Sequence, residues 1–287
     1  MAKRSVSGKV VVVTGGARGV GAATARLLSG HGAKVAVADL DEALVKQTAA
    51  ELGIVGKHVD VTDHAGFASM LDEVERELGP VDILVNNAGI MPVANFEEES
   101  DRATHAIVAV NLLGVIYGTR ELARRVKARN GSGHVVNVSS AGGRIPLAGA
   151  ATYTASKHAV SGLSNTLNIE FRSEGLDVAV SAVHPAMVKT DLSTGLADVG
   201  PVKAVTPEKV ADAILSVIER PRPNAYVPKA LGASLKPSAV IPWRVGEWLN
   251  KVTGGERAVL DALRDPARTA YEERVAHSAP AADHADD

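Results

Sequence analysis

The 287-residue sequence predicts an α/β protein: a doubly wound parallel sheet of about seven strands with helices on both faces, forming a single domain followed by a C-terminal helical extension. Three observations carry that reading. Short β-branched runs alternate with longer segments of helical period, and alternation of this kind requires parallel crossovers. The strand runs are continuously apolar, which suits a sheet covered on both faces. No internal repeat or long low-complexity linker divides the chain.

Taken in order, "KVVVVTG", "AKVAVAD", "GKHVDV", "VDILVNNAG", "GHVVNVSS", "LDVAVSAVHP" and "NAYVP" read as strands. Between them lie helical segments, the longest running from Ser100 to Asn130 and through "TYTASKHAVSGLSNTLNIEFRSEG". Asp63 caps one helix, and Thr206-Pro207-Glu208 sets a hydroxyl before a first-turn proline at another. After Pro228 the character changes. Prolines 228, 237 and 242 punctuate a segment holding both tryptophans, and Val245, Trp248, Leu249 and Val252 share the spacing of an apolar helical face. That face needs cover, as a lid or subunit contact over a cleft, against its own domain, or at a membrane surface. The expected division is residues 1–228 as the main domain, 229–277 as the extension and 278–287 as a disordered acidic tail.

Composition narrows the function. A net charge of -2 supplies no general positive field for nucleic acid or anionic lipid, and 3% aromatic content offers no base-stacking platform. The absence of cysteine removes disulfides and thiolate chemistry. Nine histidines include no H-x-x-x-H pair, so no metal site is expected. The valine run after the basic N-terminus is too short for a signal peptide, and no window approaches the roughly 20 apolar residues of a membrane span. A soluble, cytoplasmic protein is expected.

The segment "VVVVTGGARGVGAATARLL" is a strand, a glycine turn and a helix, with Gly15, Gly19 and Gly21 in the pattern T-G-x-x-x-G-x-G. Arg18 and Val20 lie within the turn. Glycines at the carboxyl end of a parallel strand let backbone N–H groups and a helix N-terminus approach a pyrophosphate, the arrangement of Rossmann-type nucleotide sites. The next strand ends at Asp39, followed by Leu40. A carboxylate there accepts both hydroxyls of an adenosine ribose and repels a 2′-phosphate, favouring NAD over NADP. Arg18 is the contrary signal, because a guanidinium can pair with that phosphate. A plainer role for Asp39 is to cap the helix opening at Asp41.

With "TGGARGVG", "NNAG", Asn111, Ser140, Tyr153 and Lys157 in this order, the sequence resembles the short-chain dehydrogenase/reductase family from about Ser5 to Pro228. The resemblance implies catalysis on a carbonyl or alcohol by Ser140, Tyr153 and Lys157, with Asn111 kinking its helix and anchoring a proton-relay water. It implies that Asp60 and Val61, ending the third strand, contact adenine. Asn87, Ala88 and Gly89 are similar to the floor under the ribose and nicotinamide. In "HPAMVKT", Pro185, Val188 and Thr190 resemble the residues that hold the carboxamide, while Ala186 replaces the usual glycine and disfavours φ > 0. The family also implies a homodimer or homotetramer. Each residue has a plainer reading as well: Ser140 as a strand-end cap, Tyr153 as core, Lys157 as a solvated charge, Asn111 as a buried amide.

A tyrosine titrating near ~10 is a poor base at neutral pH. Moving it to neutrality takes roughly 4 kcal/mol, about what a unit charge ~4 Å away supplies at an effective dielectric near 20. Lys157, one helical turn on, shares its face and is expected to supply that charge. Met91, Ile145, Leu147, Met187, Leu192 and Leu196 suggest an apolar substrate of lipid, steroid or terpenoid type, whereas Arg144 would suit an acid. The expected function is NAD(H)-linked oxidoreduction of a secondary alcohol or ketone. The alternatives are an NADP-dependent ketone or 3-oxoacyl reductase, and a non-catalytic NAD sensor.

Overall fold

The computed structural model describes residues 3–196, 204–235 and 257–278. Seven strands, β1 (Val10–Thr14), β2 (Lys34–Asp39), β3 (Val55–His58), β4 (Ile83–Asn86), β5 (Gly133–Val138), β6 (Val178–Pro185) and β7 (Asn224–Val227), form one sheet in the order β3-β2-β1-β4-β5-β6-β7. Every pairing is parallel. The order reverses between β1 and β4, which opens a crevice at the carboxyl ends of the strands.

Four successive valines are buried in β1 because the sheet is covered on both sides. Val11 and Val13 join the core made with α1 (Gly19–Gly30), α2 (Glu42–Leu52) and α7 (Pro207–Glu219), where Leu28 and Ile214 are fully enclosed. Val10 and Val12 face the other core, built with α3 (His64–Leu78), α5 (Gly114–Ala128) and α6 (Ala151–Ser173), around Phe67, Leu71 and Leu122. A third cluster of Met91, Ile107, Ala150, Tyr153 and Val259 gathers apart from the sheet cores.

Several local expectations hold and several change. Asp63 caps α3 by accepting from Ala65 N at 3.0 Å, and Asp41 caps α2 through Leu44 N at 3.0 Å, so Asp39 is not the cap of that helix. Thr206 makes no capping bond to the backbone. The third strand stops at His58, before Asp60 and Val61. The Asp60 carboxylate accepts from both Thr62 N at 2.8 Å and Thr62 Oγ1 at 2.7 Å, and this turn ends the strand. The stretch after Ser100 divides into α4 (Asp101–Val108), a turn of π-helix (Ala109–Leu113) and α5. These 28 continuous helical residues contain an 18-residue window of mean hydropathy 1.3, long and apolar enough to cross a membrane, although 56% of it is buried inside the protein.

Beyond β7 come α8 (Lys229–Leu235), a helical turn at Arg257–Leu260 and α9 (Pro266–Ser278). The apolar face of Val245, Trp248, Leu249 and Val252 and the acidic tail after Ser278 lie outside the described residues. Phe67 is fully buried between α3 and the sheet. Truncation by Phe67→Ala is expected to cost about 3–5 kcal/mol in urea unfolding, from lost burial plus the cavity it leaves. A loss below 1 kcal/mol would contradict this packing.

Candidate active site

The glycine turn after β1 is pressed against the loop after β4. A Cβ on Gly15, whose φ is +62°, would lie 2.8 Å from Ala88 Cα, and one on Gly21 would lie 2.1 Å from Gly15 O. Polar bonds hold the two segments together: Asn87 Nδ2 donates to Thr14 O and Gly15 O, both at 3.0 Å, while Thr14 Oγ1 accepts from Asn87 N at 3.1 Å and Ala88 N at 3.2 Å. Beside this junction lies a cleft of about 650 Å³ lined by Gly15, Arg18, Gly19, Val20, Asp39, Leu40, Asp60, Val61, Asn87, Ala88, Gly89 and Thr190. Gly21 does not line it and serves the close packing behind it.

These residues fit a dinucleotide. The N-terminus of α1 opens beside the cleft with no acidic residue in its first turn, leaving backbone donors and the positive end of the helix for an anion. At β2, the Asp39 carboxylate accepts from Ala17 N at 3.0 Å and Asp41 N at 3.2 Å, each through a different oxygen. A carboxylate oxygen has a second lone pair for a ribose hydroxyl. Arg18 is engaged by acids of its own, with Asp41 at 3.0 Å and Asp191 at 3.8 Å.

A second cavity, of about 230 Å³, shares Val20, Asn87, Gly89, Thr190 and Leu192 with the cleft and contains Ser140, Tyr153, Lys157, Pro185 and Val188. Ser140 follows β5, and Tyr153 and Lys157 occupy the first turns of α6. The Ser140 hydroxyl accepts from Gly142 N at 3.0 Å and lies close enough to the Tyr153 phenol to act on its titration. Lys157 Nζ lies 5.8 Å from the Tyr153 ring centroid and donates to Val138 O at 3.1 Å. Asn111, in the π-helical turn and fully buried, accepts from Ile90 N and donates to Ile90 O, each at 2.9 Å, and reaches Ser156 Oγ at 3.3 Å. Gly89 is where these groups converge: a Cβ there would meet Asn111 Oδ1 at 3.2 Å and Lys157 Nζ at 3.4 Å.

Electrostatically the protein alone departs from the expected acidified phenol. Burial pushes Tyr153 above its ordinary value, opposed by the Ser140 hydrogen bond, and burial pulls Lys157 down to about 8. The ammonium donates to the Val138 carbonyl, and burial dominates the shift of the phenol.

All six aliphatic residues expected on the substrate side, from Met91 to Leu196, line the second cavity, joined by Leu231 and Val259. Arg144 does not line it and donates to Asn224 Oδ1 at 2.9 Å, which removes the reason to expect an acidic substrate. Ala186 causes no strain. Its N–H donates to Val227 O at 2.7 Å, and among the described residues the one non-glycine with positive φ is Asn130. Sequence reasoning missed Arg268, Tyr271 and Glu272 of α9, which brace the loops around both cavities. Their periodic spacing in "DPARTAYEERV" was the available signal.

Residues 9–198 match the short chain dehydrogenase family, and the chain belongs to it. It is 33% identical over 257 residues to "Probable oxidoreductase EphD" of Mycobacterium tuberculosis, covering 81% of this chain but only 43% of that protein, so it spans less than half the length of this relative. It is 36% identical over 189 residues to "3-beta-hydroxysteroid dehydrogenase" of Comamonas testosteroni, covering 65% of this chain and 74% of that one. A crystal structure of a short chain dehydrogenase/reductase from Burkholderia phymatum in complex with NAD superposes with a TM-score of 0.75 at 27% identity, covering 81% of this chain and 93% of the other.

Because Lys157 has a folded pKa of about 8 against an ordinary 10.5, the unfolded chain binds more protons between those values. Stability contributed by this site therefore rises with pH across that window. Relative to Lys157→Met, the wild type is expected to gain on the order of 3 kcal/mol between pH 8 and 10.5 in urea titrations. A pH-independent difference would show that the ammonium is not buried as described.

Proposed function

We propose that the protein is an NAD-dependent oxidoreductase interconverting an apolar secondary alcohol and its ketone. The observation that carries this is the position of Ser140, Tyr153 and Lys157 in an apolar cavity that opens into the dinucleotide-shaped cleft. When bound, NAD(H) supplies or accepts the hydride. Everything else falls to the chain. Ser140 donates to the reacting oxygen and holds it within reach of the phenol. Tyr153, kept protonated by burial, gives its proton to a carbonyl oxygen in reduction and takes it back in oxidation. Lys157, with a pKa of about 8, remains largely cationic at neutral pH and favours the phenolate once its charge is shared with the Tyr153 hydroxyl. Asn111 fixes both backbone groups of Ile90 and so sets the wall behind the lysine.

Asp39 supports NAD over NADP, and the pairing of Arg18 with Asp41 and Asp191 weakens the contrary signal. The aliphatic lining supports an apolar substrate, and a steroid-like or terpenoid-like alcohol is the class to test first. A non-catalytic sensor would have no use for a buried phenol and ammonium beside an apolar cavity.

A screen of hydroxysteroids and simpler secondary alcohols and ketones with both cofactors, followed by absorbance of the reduced nicotinamide, is expected to find turnover with NAD(H). Tyr153→Phe should reduce turnover by at least ~10²-fold while NAD affinity stays within about twofold. Retained turnover would sink the catalytic assignment. NAD should bind about tenfold or more tightly than NADP, and equal affinities would overturn the reading of Asp39.

A further inference from the structure

The helix α9 is pinned in place by main-chain contacts. Arg268, 2% exposed, donates to Leu192 O and Thr194 O at 3.0 Å, to Met91 O, and to the Glu272 carboxylate at 2.9 Å. Glu272 in turn accepts from Val93 N at 3.2 Å. So anchored, the helix brings Tyr271, Arg274 and Val275, at i, i+3 and i+4, to the wall of the dinucleotide cleft.

Two of these side chains carry donors suited to a ligand. The Tyr271 oxygen accepts from Met91 N at 2.8 Å, but among the described residues its proton meets no acceptor, although the side chain is only 7% exposed. A buried donor left unmade is costly, and a ligand oxygen in the cleft would relieve it. Burial also drives the Tyr271 pKa far above the ordinary range, so the hydroxyl keeps that proton. The Arg274 guanidinium lies 3.3 Å from Asp191 Oδ2 and 5.7 Å from the Tyr271 ring centroid. From the opposite rim, Arg18 approaches the same carboxylate oxygen at 3.8 Å. Two guanidiniums from separate elements thus meet at one acid at the edge of the cleft, and a guanidinium held there by a carboxylate can pair with a phosphate oxygen in the same way.

We propose that α9 is part of the dinucleotide site, with Arg274 pairing with the pyrophosphate and Tyr271 donating to an oxygen of the same cofactor. This rests on the nicotinamide-dinucleotide reading of the cleft and adds to it two residues from outside the segment that matches the family. Binding alone tests it, without any substrate. Isothermal titration would compare NAD, ADP-ribose and AMP on the wild type, Arg274→Gln and Tyr271→Phe. Arg274→Gln is expected to weaken NAD and ADP-ribose about fivefold, with a smaller loss at high salt, and to change AMP, which lacks the pyrophosphate, by less than about twofold. Tyr271→Phe should weaken NAD about threefold or more. NAD and ADP-ribose binding within twofold of wild type in both variants would overturn the proposal, as would an equal loss for AMP. Failure of the wild type to bind NAD at all would overturn the dinucleotide reading itself. Arg274 is about half exposed, so Arg274→Gln decides the question even if Tyr271→Phe fails to fold.

Discussion

Where the turn after β1 meets the loop after β4, Gly15 and Gly21 leave no room for a Cβ. Gly15 approaches the Ala88 backbone, Gly21 approaches Gly15 O, and the Asn87 amide bonds the main chain of Thr14 and Gly15. This contact sets one edge of both compartments, because Asn87 and Gly89 line the cleft and the apolar cavity alike. It also fixes the backdrop to Tyr153 and Lys157, since Gly89 leaves just enough space for Asn111 and Lys157 to approach it from behind. A larger residue at any of these points would push the cleft and the apolar cavity apart together.

The cluster of Ser140, Tyr153 and Lys157 is built on an unfavourable arrangement. A lysine ammonium and a phenol are held out of water, and burial moves each toward its uncharged form. Their low exposure makes nearby charges and dipoles act more strongly than they would in solvent. The cluster therefore waits for what binds in front of it: a polar ligand entering this dry space changes the balance more than it would on an open surface.

Much of the architecture is legible in the sequence because the responsible physics is local. Four consecutive valines announce a strand buried on both faces, and the glycine spacing announces a tight turn into a helix. The six aliphatic positions assigned to the substrate side all reach one cavity, since the loops after β4, β5 and β6 leave the same edge of the sheet. What escapes the sequence comes from competition or distance. The end of β3 is decided by an Asp60 turn that competes with the ladder. The direction of the Tyr153 shift is decided by burial, which a four-residue spacing does not show. The bonds of Arg268 and Tyr271 to Met91 span some 180 residues, and no local pattern pairs them.

Arg268 grips carbonyl oxygens of Met91, Leu192 and Thr194, so its bonds there are to backbone. Its hold is consequently indifferent to which amino acids occupy those positions, while Met91 and Leu192 themselves form walls of the apolar cavity. Frame and lining are thereby separable: evolution or a protein engineer can recontour the chamber residue by residue, trading one accepted molecule for another, without loosening the brace that keeps the chamber standing.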